Sequence, residues 1–114
     1  MSQYLPHLLT NQQMIQSVTL SVIDRAGDNP EEIGAASYAY MELLGLTLYN
    51  FMWVRILAAV LSKFQAGSGD TPHLSGMVKT AEFFFARLLP RTRALVEEIE
   101  AGADTLMAMS AEEF

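Results

Sequence analysis

Apolar residues recur at three-four spacing along almost the whole chain, and no segment alternates with period two. The first run spans about Pro6 to Ala26, with Leu5, Leu8 or Leu9, Gln12, Ile15, Thr19 and Val22 or Ile23 on one side. The second spans about Pro30 to Ala66, with Ile33, Ser37, Tyr40, Leu44, Thr47, Phe51, Val54, Ala58 and Leu61 as its main stripe. The third starts near Pro72 and carries Leu74, Met77 or Val78, Ala81, Phe85, Leu88, Leu95 and Ile99. Two clusters punctuate these runs. In Gly27-Asp28-Asn29-Pro30-Glu31-Glu32, Gly27 suits the left-handed position after a helix end, and Asn29 can cap the next helix. Pro30 suits the first helical position, and the two glutamates suit the positive end of the helix dipole. In Gly67-Ser68-Gly69-Asp70-Thr71-Pro72, the glycines end one helix, and Asp70 or Thr71 caps the next.

The second and third helices are roughly 45–55 Å long at about 1.5 Å per residue, and neither can bury its stripe alone. Short breaks make neighbours antiparallel. The pattern therefore predicts an all-α fold: one domain over 1–114, an antiparallel up-and-down helical bundle of three long helices. Ala101-Gly102-Ala103 leaves open whether the third helix continues or a short fourth follows. Pro90 removes a hydrogen bond and clashes with the carbonyl of Ala86, which predicts a kink.

The second helix is apolar nearly all round. Tyr38, Met41, Leu48, Met52 and Ala59 lie off its main stripe, and no helix of a three-helix bundle is fully enclosed. In Phe83-Phe84-Phe85, one ring faces the core and at least one faces elsewhere. Tyr38, Met41, Leu48, Met52, Phe83 and Phe84 are accordingly the candidate interface. Gly34 and Gly45, eleven residues apart, return to nearly one face and are candidates for a close helix approach.

Composition narrows the function. The 114 residues include no cysteine, which excludes a disulfide scaffold, a thiolate metal site and a cysteine nucleophile, and suits a cytoplasmic protein. Net charge is −6, and the only close basic group, Arg87, Arg91 and Arg93, is flanked by Glu82, Glu97 and Glu98, so nucleic acid is not expected. Between Ser37 and Leu61 the only charges are Glu42 and Arg55, but the uncharged core Leu43 to Val54 is short for a bilayer, so no membrane span is expected. Glu42 and Arg55 each need solvent or a partner, with Lys79, Glu82 and Arg87 as candidates.

No catalytic, cofactor-binding or metal-binding residue emerges. His7 and His73 lack neighbouring donors. Glu97, Glu98 and Glu100 diverge around a helix, with Arg93 placed to pair with Glu97. The serines lack an activating context, and Gly67-Ser68-Gly69 is too short for a phosphate loop.

Lys79, Phe83-Phe84, Leu88-Leu89-Pro90, Ala101-Gly102-Ala103-Asp104 with Leu106, and Glu112-Glu113-Phe114 occur in an order that resembles the C-terminal helical domain of flavin-dependent acyl-CoA dehydrogenases. Tyr38 to Gly45 resembles that domain's second helix. The resemblance implies a relation to enzymes that oxidise an acyl-CoA thioester between its α and β carbons through FAD. It also implies that the catalytic glutamate and the flavin- and CoA-binding residues belong to preceding domains, so this chain carries no cofactor. The implied role is a non-catalytic packing or oligomerisation domain, acting as a homo-oligomer such as a dimer or docked to a dehydrogenase catalytic core. The alternative is a small bundle binding an acyl or other apolar ligand, with the seven methionines as an adaptable interior.

Overall fold

The computed structural model describes residues 2–67, 69 and 71–114. Four helices carry the architecture: α1 (Leu5–Asp28), α2 (Glu31–Ala66), α3 (Thr71–Phe83) and α4 (Arg91–Glu100). A short α5 (Asp104–Met107) follows, with single 3-10 turns at Ser2–Tyr4 and Ala111–Glu113. The fold is all-α, with no strand among the described residues.

α1 runs antiparallel to α2. Arg25 meets Glu32 at one end, Thr19 meets Tyr40 midway, and Asn11 meets Asn50 further along. α4 lies beside both. Ser21 and Arg25 reach Glu100, while Ala103 reaches Glu32. α3 packs on the distal part of α2, where Leu57 and Val60 are buried and Leu74 and Ala81 are its own buried residues. The core joining α1, α2 and α4 is Val18, Ala36, Ala39, Leu43, Leu95 and Ile99.

The two predicted breaks form for partly different reasons than expected. Gly27 does not end α1, which runs on to Asp28. The stop is Asn29, held extended at φ −139° and ψ 105°. Proline disfavours the helical conformation in the residue before it, so Pro30 imposes this on Asn29. The Asn29 side chain then accepts from the Glu31 N–H at 3.1 Å, as its capping role required. At the second break Gly67 takes the left-handed conformation (φ 67°) and closes α2. Thr71 opens α3; Asp70, the other capping candidate, and Ser68 lie outside the described residues.

The third predicted helix is two helices. Ahead of Pro90 the backbone widens into a π turn, Phe84–Leu88, and the Leu89 N–H reaches the Phe84 carbonyl at 2.9 Å. The longer turn accommodates the proline ring where an α turn would clash. It also shifts the buried stripe, which runs Leu74, Ala81, Phe84, Leu89, Thr92, Leu95, Ile99, with a five-residue step across the π turn. Phe84 therefore replaces Phe85 as the inward ring. Gly102, at φ 77°, ends the path of α4 and settles the open question there in favour of a break.

On α2 the expected main stripe is also corrected. Glu32, Ala36, Ala39, Leu43, Asn50, Val54, Leu57 and Val60 are buried, whereas Ile33, Ser37, Leu44, Phe51 and Leu61 are exposed. The helix is rotated so that Ala36, Ala39 and Leu43 pack against α1 and α4, and Val54, Leu57 and Val60 are buried further along. Two polar positions, Glu32 and Asn50, sit on that inner face and obscure it in a hydrophobicity pattern.

Glu32 is partnered, and Asn50 is partnered through its Nδ2, while its Oδ1 and the neighbouring Asn11 Nδ2 have no hydrogen-bond partner among the described residues. Glu32 accepts from Arg25 Nε and from the Ala103 N–H, each at 3.3 Å. Arg25 also donates to Ser21 Oγ at 2.6 Å, to Glu100 at 3.3 Å and to the Ile99 carbonyl at 2.9 Å, which accepts from the Gly102 N–H as well. One guanidinium thus joins α1, α2 and α4. At the opposite end Asn50 Nδ2 donates to Asn11 Oδ1 at 3.3 Å and to the His7 carbonyl at 3.4 Å. Tyr4 stacks on Phe85 with ring centroids 4.2 Å apart.

Candidate functional site

The face of α2 that points away from its neighbours is the most distinctive surface of the chain. Tyr38 is 73% exposed and Met41 69%, and Leu48, Tyr49, Phe51 and Met52 are also exposed. Leu43, on the opposite side of the same helix, is completely buried. The inner face buries two alanines and two polar residues beside Leu43, Val54, Leu57 and Val60, while several of the largest apolar side chains of the helix stand on water. Scattered exposed apolar residues are normal, but a contiguous run marks a contact surface.

Four of the six candidate interface residues fall together here. Tyr38, Met41, Leu48 and Met52 form one line, and Gly45, Arg55 and Ala59 complete it at strict three-four spacing from 38 to 59. That is the a/d seam of a heptad pattern. Arg55 was missed as a surface member, although the same spacing places it, while Gly45 is half-buried beside the hollow between α2 and α4. Phe83 is exposed on a different element, at the end of α3. Phe84 leaves the candidate surface: it is only 3% exposed, and its ring packs edge-on against Tyr49 and Phe85.

Neither Glu42 nor Arg55 finds an ion pair among the described residues, so the expected partners Lys79, Glu82 and Arg87 are not used. Glu42 is exposed and accepts from the Tyr38 hydroxyl at 3.3 Å. Arg55 is exposed with its guanidinium 5.8 Å from the centre of the Phe51 ring. Both reach solvent because they sit on the outer half of the helix. Arg93 and Glu97 likewise form no ion pair; Glu100 is the member of that acidic group that pairs, with Arg25. Gly34 and Gly45 do not mark a close approach within the chain: a Cβ at either position meets nothing within 4 Å.

Beside this face, α1 and α2 enclose an apolar groove of about 420 Å³ lined by residues that include Val22, Ile23, Ile33, Tyr40, Met41 and Leu44. The Thr19 and Tyr40 hydroxyls hydrogen-bond to each other at 2.7 Å, and Thr19 also donates to the Ile15 carbonyl. Their polar groups are thereby occupied within the chain.

No cluster of three or more acidic or histidine side chains able to hold a metal occurs among the described residues. His7 packs against Phe85, and His73 is exposed on α3. By length and hydropathy α2 meets the dimensions of a membrane span. It also packs against α1, α3 and α4, and its inner face holds Glu32 and Asn50 in hydrogen bonds.

The chain was compared with known proteins. A family model described as acetyl-CoA dehydrogenase C-terminal like matches residues 1–110. Searches of curated proteins and of solved structures return no match. The matched region takes in α1 to α5 and the whole exposed seam, and on that basis the chain belongs to the C-terminal domain family of the acyl-CoA dehydrogenases.

Proposed function

We propose that this chain is a non-catalytic packing module of an acyl-CoA dehydrogenase assembly. Its up-and-down helices hold α2 rigid from one side, and the outer face of α2 is buried against another protein surface. The observation that carries this is the outer face of α2, where Tyr38, Met41, Leu48 and Met52 stand exposed although the opposite face already supplies the core. Large apolar residues left on water by a helix whose other side is packed favour helix-in-groove or helix-on-helix docking. Oxidation of the acyl-CoA thioester, with its FAD, belongs on this reading to the catalytic core that the module accompanies.

Size-exclusion chromatography with light scattering tests it, run on the chain alone and with a flavin-loaded acyl-CoA dehydrogenase core. The expected result is a particle larger than one chain in at least one of the two runs, with flavin absorbance only where the core is present. A chain that stays a single particle in both overturns the reading.

A second reading has its own observation. The α1–α2 groove is almost wholly apolar and of a size that suits an acyl chain. Native mass spectrometry of the purified chain decides it: a retained fatty ligand supports the groove as a binding site, and a bare mass removes it.

A further inference from the structure

We infer that the cleft where the start of α1 meets the start of α4 binds a small oxyanion, a phosphate or a carboxylate group, on Asn11, Thr10 and Arg93. The inference stands apart from the packing role proposed above and uses none of the outer face of α2.

The first observation is a buried donor with nothing to donate to. Asn11 is 3% exposed and Asn50 is completely buried. Asn50 Nδ2 faces two acceptors, the His7 carbonyl and Asn11 Oδ1. A carbonyl only accepts, so turning the Asn50 amide round would set oxygen against oxygen at His7. With Asn50 fixed in this way, Asn11 must present its Oδ1 to it. The Asn11 Nδ2 is the branch left over, and it has no hydrogen-bond partner among the described residues. Buried donors are nearly always paired, because an unpaired one gives up water and gains nothing. Asn11 itself lines a cleft of about 80 Å³, and an acceptor seated there reaches it.

The second is the chemistry of that cleft. None of its lining residues is acidic, in a chain with 13 acidic side chains and a net charge of −6. Arg93 is among them and forms no ion pair among the described residues. Thr10 adds a hydroxyl. The hydroxyls of Thr19, Thr47, Thr80 and Thr92 each donate to a nearby backbone carbonyl, whereas that of Thr10 makes no such bond among the described residues. The start of α4 does not supply the site through its backbone, because the Thr92 and Arg93 N–H groups already reach the Leu89 and Pro90 carbonyls. The donors are therefore side chains, from two helices, with no acceptor set against them.

The third is size. A cleft of about 80 Å³ has room for several waters or for one oxyanion group, and it is small for a nucleotide or an acyl chain. Phe85 and Pro90, set by the π turn and its end, form an apolar wall. A water accepts from Asn11 but brings no charge to Arg93. An oxyanion accepts from all three donors and supplies the charge that the guanidinium lacks. The planar fork of arginine suits phosphate and carboxylate alike.

Two-dimensional ¹H–¹⁵N NMR of the full chain tests the inference, with sodium phosphate and sodium acetate titrated separately at fixed pH and at an ionic strength held by chloride. At least one of the two is expected to saturate below about 10 mM and to move the Asn11 side-chain NH₂ signals more than those of Asn50. Saturation by one and not the other names the group. Arg93→Gln, at an exposed position, should weaken binding about tenfold or more. Asn11→Asp keeps an acceptor toward Asn50 but replaces the donor with a like charge, and should abolish binding, with circular dichroism establishing that the variant is folded. Arg91→Gln removes the same charge from the hollow on the other side of α4 and should change binding no more than about twofold. If Asn11→Asp does not fold, the contrast between Arg93→Gln and Arg91→Gln decides. The inference is overturned if neither anion saturates, if the Asn11 signals stay still, or if the two arginine variants weaken binding equally, which would be diffuse charge attraction.

Discussion

The two faces of α2 obey opposite rules. The inner face is built from Ala36, Ala39 and Leu43 and carries Glu32 and Asn50 in hydrogen bonds; the outer face carries Tyr38, Met41, Leu48, Phe51 and Met52 on water. A protein that needed only to fold would place its largest apolar side chains inward, where each contributes about 1.5–3 kcal/mol. Here the core is thin and closely spaced, and polar links tie its ends. The difference teaches that the core of the chain uses only one side of α2, and it is the other side that the proposed packing role assigns to a partner.

Paired truncations give the largest contrast. Leu43→Ala opens a cavity between α1, α2 and α4 and should lower unfolding stability by about 3 kcal/mol. Leu48→Ala should cost the folded monomer no more than about 0.5 kcal/mol, while weakening association. Urea titrations at one fixed, dilute concentration separate the two effects. Equal losses would erase the distinction between the faces.

Next comes the polar tie on the inner face. Arg25→Ala leaves the nearly buried Glu32 carboxylate without its counter-charge, holding only the Ala103 N–H, and leaves the Ile99 carbonyl with the Gly102 N–H alone. We expect a loss of about 2 kcal/mol, with the oligomeric state unchanged. Gly102→Ala is smaller. Gly102 is left-handed, and an added Cβ comes within 3.4 Å of Glu32 Oε1, which hydrogen-bonds the Ala103 N–H. The expected cost is about 1 kcal/mol, visible as a few degrees in Tm.

The smallest effect lies away from both faces. The Glu113 carboxyl is held below the usual carboxylate range by the Ser110 N–H, with the Ser110 hydroxyl adding to it. A lowered folded-state pKa means that this terminal turn is favoured above the unfolded carboxyl's pKa. The advantage is lost as pH falls through the folded value. NMR titration should show the Ser110 amide shift moving at a pH below the ordinary glutamate range, with no change in association. An ordinary titration midpoint would remove this cap.

Much of this was legible in the residues. Asn29-Pro30 and Gly67 mark the helix ends because their backbone preferences are local. The all-α class follows from periodicity alone. The apolar excess of α2 was visible, but not which side of it faces inward. Ile33, Leu44 and Phe51 outweigh Ala36 and Ala39 on any hydrophobicity scale, and the choice depended on packing with Val18 of α1 and Leu95 and Ile99 of α4, which are remote in the chain. Phe84 was misplaced for a related reason: a π turn before Pro90 adds a residue to one turn and rotates everything before it. The polar links of Glu32 and Asn50 join residues remote in the chain, which no local spacing reveals.

Oxidative footprinting of the methionines tests the central claim most directly. Met41 and Met52 lie on the outer face of α2, while Met107 and Met109 are exposed near the C-terminus and serve as internal references. At concentrations where the chain or its complex is assembled, peroxide should oxidise Met107 and Met109 freely and spare Met41 and Met52, with the protection lost on dilution. Oxidation of all four at the same rate at every concentration would contradict the account.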